Sequence, residues 1–345
     1  MRVRVGPKAG VLVTLLAAAV ACRSPAQPTA TMVEERRLAM GSEVHLTALT
    51  ADQPRARAAF AAVFAEFERL EARLSVWRPG SDSARMNEAA GGEPVAVDAD
   101  TRAVLRAAEQ VSAWTDGAFD ITFGALAEIW KFDHDQDNRL PSPDEIARRL
   151  PRVDHRAVVI DEARGTASIT RPGVVVHLGG IGKGYAVDQA VAILRAAGLT
   201  DFMVQAGGDL YVAGTAGATP WRLGIQDPRG PAGESFALVE LSDATFSTSG
   251  DYERYFERDG VRYHHLIDPS TGQPARGTRS VTIVTREATW ADGLSTGVFI
   301  LGPERGMALV ERLPGVEAVI VTAASEVRVS SGLRGKVVIT KPPTP

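Results

Sequence analysis

The sequence predicts an α+β protein, a largely antiparallel mixed sheet flanked by helices. Three observations carry that reading. Short β-branched runs broken by turn residues recur from Ala157 to Ser330. Stretches with apolar residues at helical spacing stand before and between them. Few strand-to-strand steps carry the crossover helix that parallel neighbours need, so antiparallel pairing is the simpler solution. Composition agrees: of 345 residues, 45% are hydrophobic and 23% charged, values of a folded chain long enough to bury a large core. Disorder, a collagen-like repeat, a disulfide-dense scaffold and a polytopic membrane protein are disfavoured. A formal charge of −4 argues against nucleic-acid binding through a basic surface.

Taken in order, residues 1–21 read as a signal peptide. Arg2, Arg4 and Lys8 form a basic start before the apolar run GVLVTLLAAAVA, Gly10 to Ala21. That run is too short to cross a hydrocarbon core of about 30 Å, but it fits the apolar part of a secretory signal. It ends at Cys22, the only cysteine. The segment resembles a bacterial lipobox, in which the cysteine is lipidated and becomes the mature N-terminus. It carries Ala19 where that pattern more often has Leu. A plain signal cut near Ala21 is the alternative. Either way export is expected, to the periplasmic side of a bacterial membrane and, on the lipobox reading, with a lipid anchor there. The removed stretch holds three of the 38 basic residues and none of the 42 acidic ones, which takes the charge from −4 to −7. One cysteine allows no internal disulfide. Residues 22–31 read as a tether, 32–335 as a single domain and 336–345 as a C-terminal tail.

Within the domain, Pro54 to Leu74 spaces Phe60, Val63, Phe64, Phe67, Leu70 and Leu74 as one helical face. A second helix is expected over Thr101 to Trp114 with Asp100 as N-cap. Ser142-Pro143-Asp144-Glu145 is a capping box that opens a short helix to about Leu150. Strands are expected at Ala157–Asp161, Ala167–Thr170, Val174–Leu178, Phe202–Gln205, Leu210–Val212, Arg222–Gln226, Phe236–Leu241, Ser280–Thr285, Ala318–Thr322 and Val327–Ser330. A helix should run from Lys183 to Ala197, stopped by Gly198.

Four segments carry candidate chemistry. VVVHLGGIGKGYAVD, Val174 to Asp188, runs an apolar strand into a glycine turn and a helix start. This geometry suits a phosphate or pyrophosphate, or simply a tight turn. It is neither a P-loop nor a dinucleotide fingerprint, because His177, Gly184 and Tyr185 stand where those patterns need other residues. ADGLSTG, Ala291 to Gly297, contains a formal G-x-S-x-G. A hydrolase elbow needs a strand before it and a histidine after it, and no histidine follows His265. Asp292 and Thr296 instead fall at i and i+4 near a helix start, a carboxylate and a hydroxyl that suit Mg²⁺; a plain N-cap is the other reading. In YHHLIDPSTGQP, Tyr263 to Pro274, His264 and His265 face opposite sides of a strand, so one could act as a general base and both could be ordinary strand histidines. Trp77, in a loop before Pro79, offers a stacking surface for a flat ring, or core packing.

Together and in this order, these segments resemble the ApbE-type FAD:protein FMN transferases. The resemblance runs from about Met40-Gly41-Ser42 to about Gly302. It includes S-x-(aromatic)-R-P at Ser75, GAFD-x-T at Gly117, LGGIGKGYAVD at Leu178 and QAGGDLYVAG at Gln205. W-x-L-G-I-x-D-P at Trp221, H-x-I-D-P-x-T-G at His265 and A-D-x-x-S-T at Ala291 complete it. It implies Mg²⁺-dependent cleavage of the FAD pyrophosphate and transfer of FMN, as a phosphoester, to a threonine of an exported or membrane-bound acceptor protein, with AMP released. By the same resemblance, Trp77 stacks on the isoalloxazine, where relatives more often have Tyr. Met40, Ala118, Phe119, Asp120, Lys183 and Ile267 hold FAD. Gly180, Asp292, Ser295 and Thr296 bind Mg²⁺. His265 is the catalytic base with Asp268 the next candidate, and Lys183 helps to neutralise the pyrophosphate. The departures are His177, where many relatives carry Asp, which bears on one FAD contact in the ribose or adenine region, and Gly180 and Gly182, where Ala is common. The alternatives are an FAD pyrophosphatase that yields FMN and AMP, and a flavin-binding lipoprotein without turnover.

Overall fold

A computed structural model of the chain describes residues 29–132 and 135–345. The signal, Cys22 and the tether up to residue 28 lie outside the described residues. Eight strands form the main sheet: β1 (Thr31–Ala39), β2 (Ser42–Thr50), β3 (Phe202–Ala206), β4 (Asp209–Ala213), β5 (Ala244–Gly250), β6 (Thr278–Thr285), β7 (Glu317–Thr322) and β8 (Val327–Val329). They lie side by side in that order, each antiparallel to the next. The expected α+β class with antiparallel pairing is therefore what the chain forms. Spatial order equals chain order, and everything else except the segment after Val329 is inserted between neighbouring strands.

Four long helices cover one face: α1 (Gln53–Leu74), α2 (Ala99–Trp114), α3 (Gly182–Ala196) and α4 (Ala288–Val310). α1 buries the expected stripe, Phe60, Val63, Phe64, Phe67, Leu70 and Leu74. α2 is capped by Asp98, not Asp100. The Asp98 carboxylate accepts from Asp100 N–H at 3.0 Å, so the helix starts two residues earlier than the apolar spacing indicates. The capping box at Ser142 and Glu145 is formed. α4 breaks at Gly302, whose φ of 81° precedes Pro303.

Side chains alternate between two cores. On β4, Tyr211 and Ala213 join the helix-side core, while Leu210 and Val212 face a second core. A three-stranded sheet closes that second core: Trp221–Gln226, Ser235–Leu241 and Val337–Ile339. The expected C-terminal tail is therefore not free. Val337 to Ile339 pair with Val239 to Ala237, satisfying the open edge of that strand, and Thr344 donates to the buried Asp227 carboxylate through N–H and Oγ1.

Val174–Leu178 forms no strand, only an isolated bridge from Val175 to Phe123. Asn87 takes the place of a ladder neighbour, its amide donating to the Val176 carbonyl at 2.9 Å and its carbonyl accepting from Val176 N–H at 2.7 Å. A third apolar cluster holds Trp130, Phe132, Phe256 and Ile267, with Trp130 and Phe132 stacked at 5.9 Å. Among the described residues no helix is long and apolar enough to cross a membrane.

Candidate functional site

One cavity of ≈ 560 Å³ opens where one end of the main sheet, at its strand ends and turns, meets the helix layer. Met40, Trp77, Ala118, Phe119, Asp120, His177, Gly180, Lys183, His265, Ile267, Asp292 and Thr296 all line it. These twelve residues come from stretches scattered between the β1–β2 turn and α4. Asp268 and Ser295 do not line it. Asp268 closes its own turn, accepting from Ser270 N–H and Oγ. Ser295 lies behind the wall, where its hydroxyl donates to the Asp292 carbonyl and meets Ser249 Oγ at 2.8 Å.

The apolar end is assembled from turns. Met40 sits at the β1–β2 turn with φ 50°, held by its N–H on Glu71 Oε2 at 3.1 Å. Trp77 is 56% exposed and edge-on to His177, with ring centroids 6.2 Å apart. His177 also tilts against Phe123 at 5.3 Å. Phe119 N–H donates to Thr115 Oγ1, which fixes the GAFD turn after α2. The Asp120 carboxylate is already engaged: it accepts from Thr122 N–H and Oγ1 and from His155 N–H. Its observed work is to hold this turn in place.

The charged end is built at the start of α3. The Lys183 ammonium lies 3.0 Å from Asp209 Oδ2 and 3.6 Å from Asp292 Oδ1. Asp292 is not at the start of its helix but in the second turn of α4. Asp188 of α3 caps that helix instead, accepting from Ala288 N–H and Thr289 N–H. The two helix starts therefore meet, and Gly184 N–H donates to Asp292 Oδ2 at 2.9 Å. Only glycine fits at 184, since a methyl there would collide with the Ala288 carbonyl. The G-x-S-x-G lies inside α4 and is no nucleophile elbow. A methyl at Gly297 would come within 2.5 Å of Thr115, so that glycine serves packing against α2.

Burial pushes the Asp292 carboxyl up from the usual carboxylate range, and Asp209 adds to this against the opposing Lys183. Burial would lower the Lys183 ammonium, but the two carboxylates outweigh it and raise it. Two buried carboxylates thus share one ammonium. Thr296 Oγ1 lies 3.2 Å from Ser249 Oγ, adding hard oxygen donors beside Asp292. No cluster of three or more His, Cys, Asp or Glu able to hold a metal exists among the described residues. A cation here would rest on one carboxylate, hydroxyl and backbone oxygens and ligand phosphates, a set that fits Mg²⁺.

The two histidines separate as expected, for a reason the sequence did not give: the strand ends at His264. His264 is 2% exposed. Its Nε2–H donates to the Ala275 carbonyl at 2.9 Å and its Nδ1 accepts from Leu266 N–H, and burial lowers it to about 4. His265 faces the cavity with Nδ1 3.4 Å from the Arg254 carbonyl. That acceptor assigns the proton to Nδ1 and leaves Nε2 as the acceptor. Burial, then the nearby Arg254 charge, holds His265 well below the ordinary imidazole value, so it is neutral.

Sequence reading missed Asp209, Ser249, Glu253 and Arg254, all in the cavity wall. For Asp209 the signal was present inside QAGGDLYVAG. Ser249, Glu253 and Arg254 come from β5 and the loop after it, which no apolar pattern marks.

The fold and the cavity define an α+β ligand-binding protein whose pocket has an aromatic rim at one end and an ionised, hydroxyl-rich cluster at the other. The model of the ApbE family matches residues 40–320, and the chain belongs to that family. It is 37% identical over 295 residues to the FAD:protein FMN transferase of Treponema pallidum, covering 81% of each chain. The FAD:protein FMN transferase of Vibrio cholerae is 35% identical, over 71% of this chain and 73% of that one. Among solved structures, the ApbE protein of Thermotoga maritima superposes with a TM-score of 0.82 at 35% identity, over 89% of this chain and 99% of that one.

Proposed function

We propose that this protein transfers FMN from FAD to a hydroxyl side chain of an acceptor protein and releases AMP. The observation that carries the reading is the convergence of Lys183, Asp292, Thr296 and His265 at one end of a cavity with an aromatic rim, in a chain so similar to transferases of that name. An isoalloxazine suits the rim, and a pyrophosphate suits the helix start at Lys183. Acceptor hydroxyl oxygen bonds to the FMN phosphorus, the pyrophosphate bond breaks, and AMP departs with the bridging oxygen. His265 Nε2 takes the hydroxyl proton, and Lys183 faces the departing phosphate. Asp292, Thr296 and the Gly180 carbonyl would hold a Mg²⁺ ion, which would supply charge neutralisation on the phosphates. Asp268 and Ser295 drop out of the direct contacts.

The acceptor is read as a threonine of an exported or membrane-bound protein. The chain itself is read as lipid-anchored through Cys22 on the periplasmic side. Incubating the mature protein with FAD, MgCl₂ and a candidate acceptor, then weighing the acceptor, tests the transfer. A gain of one FMN phosphoester, lost when Mg²⁺ is chelated, is expected. FMN and AMP with an unmodified acceptor would turn the reading to a pyrophosphatase. An acyl mass on Cys22, and release from membranes by Cys22→Ser, test the anchor.

A further inference from the structure

Gly207 and Gly208 make the two-residue turn between β3 and β4, and Asp209 is the first residue after it. In register it stands opposite Ser247 of β5, whose hydroxyl donates to Asp209 Oδ1 at 2.5 Å. The other oxygen is thereby turned to Lys183, 3.0 Å away. Asp292 is anchored in the same way by a different donor. Its Oδ2 is bound by Gly184 N–H, so Oδ1 is the oxygen left for a further cation, and the Lys183 ammonium lies 3.6 Å from it. One ammonium thus stands between two buried carboxylates, each with its other oxygen anchored, and lies closer to Asp209.

We propose that Asp209 is a positioning residue that holds the Lys183 ammonium off Asp292, so that Asp292 Oδ1 stays open to a divalent cation while the lysine charge faces the ligand phosphates. The inference rests on the reading that Mg²⁺ and FAD occupy this cavity. Both Asp209 oxygens are engaged, so the residue acts through Lys183 and gives no ligand of its own to the metal. Without its charge, the nearest carboxylate left to the ammonium is Asp292, 3.6 Å away, and it settles there. A divalent cation must then displace a buried ion pair before it can bind. The cost falls on metal affinity and depends wholly on the presence of the lysine.

The test is Mg²⁺ affinity of the mature protein, read from the rise of melting temperature with MgCl₂, with and without FAD. Asp209→Asn should weaken Mg²⁺ binding about tenfold, a mid-range coupling for groups in contact. In a Lys183→Met background the same change should alter affinity by less than about twofold, because no ammonium remains to be misplaced. Lys183→Met alone should bind Mg²⁺ without FAD at least as tightly as the wild type. Equal weakening in both backgrounds would make Asp209 a direct ligand or a general scaffold and overturn the inference. So would unchanged affinity in the single variant. Should Asp209→Asn fail to fold, Ser247→Ala removes only the anchor and should weaken Mg²⁺ about twofold, again only while Lys183 is present. A wild type that shows no Mg²⁺ response even with FAD overturns the metal reading itself, which the variant series alone would leave standing.

Discussion

On β5, consecutive residues face two different environments. Phe246 packs against the three-stranded sheet in a core with Trp221, Phe236 and Val239. Thr245, Ser247 and Ser249 face the helices, and every one of them spends its hydroxyl on a named partner: the Leu210 carbonyl, Asp209 and Ser295. The first face is held by apolar area removed from water. The second is held by directional bonds around two buried carboxylates and an ammonium, which a larger or more apolar side chain could not replace without leaving a charge unpaired. Along β5, apolar packing and site chemistry fall on opposite faces, although elsewhere the helix side of the sheet carries a large apolar core of its own, and substitutions on this strand should divide the same way.

Asp292→Ala tests the site face most severely. Turnover should fall by about a thousandfold or more, the scale of losing a cation clamp on a transferring phosphoryl group. The melting temperature should hold or rise, because one of two mutually repelling carboxylates is gone. An undiminished rate, or full activity in excess EDTA, would break the assignment. On the other face, Phe236→Ala removes a fully buried ring and should cost about 3–5 kcal/mol in urea unfolding. The kcat/KM of the folded fraction should stay within about twofold of wild type; a matching loss of catalysis would join what the comparison separates.

The two neighbouring histidines sharpen the contrast. His264 is held neutral, its folded value lowered to about 4 from an ordinary 6.5. A lowered histidine contributes stability that is present above pH 6.5 and is lost as pH falls towards 4. Wild-type stability should therefore drop by about 3 kcal/mol across that window, and His264→Gln should flatten the drop. His265, held below its ordinary value as well, adds to the same acid loss, so His265→Ala should flatten part of it. Unlike His264→Gln it should also lower the transfer rate about a hundredfold, the scale of losing a general base, with FAD affinity, followed by flavin fluorescence, little changed. Loss of FAD binding along with transfer would make His265 a cofactor contact instead.

The same division explains what could be read in advance. α1, the capping box and the strands of the apolar face announce themselves, since burial on one side imposes a period on the sequence. β5 does not: ATFSTSG hides its inward face in hydroxyls. β1 is equally silent, because an edge strand written TMVEERRLA, buried only at Val33, reads as a charged loop. Val174–Leu178 misleads in the other direction, an apolar run whose backbone is satisfied by Asn87 rather than by a neighbouring strand. Within the site, residues in motif blocks converge on the cavity, whereas Asp268 is drawn aside by its own turn. Asp209 gains its meaning only when β4 and β5 pair.

The main sheet also sets a schedule. β2 ends at Thr50 and its neighbour β3 begins at Phe202, so about 150 residues must leave the ribosome between them. At typical synthesis speeds that is on the order of ten seconds, during which the β1–β2 hairpin exists without the strand that completes it. The last strand to arrive, Val337–Ile339, is almost the end of the chain. Such a high contact order makes folding slow and late. It leaves the chain unfolded well after its first strands are made, and it makes residues 337–345 a poor place to cut or to fuse a tag.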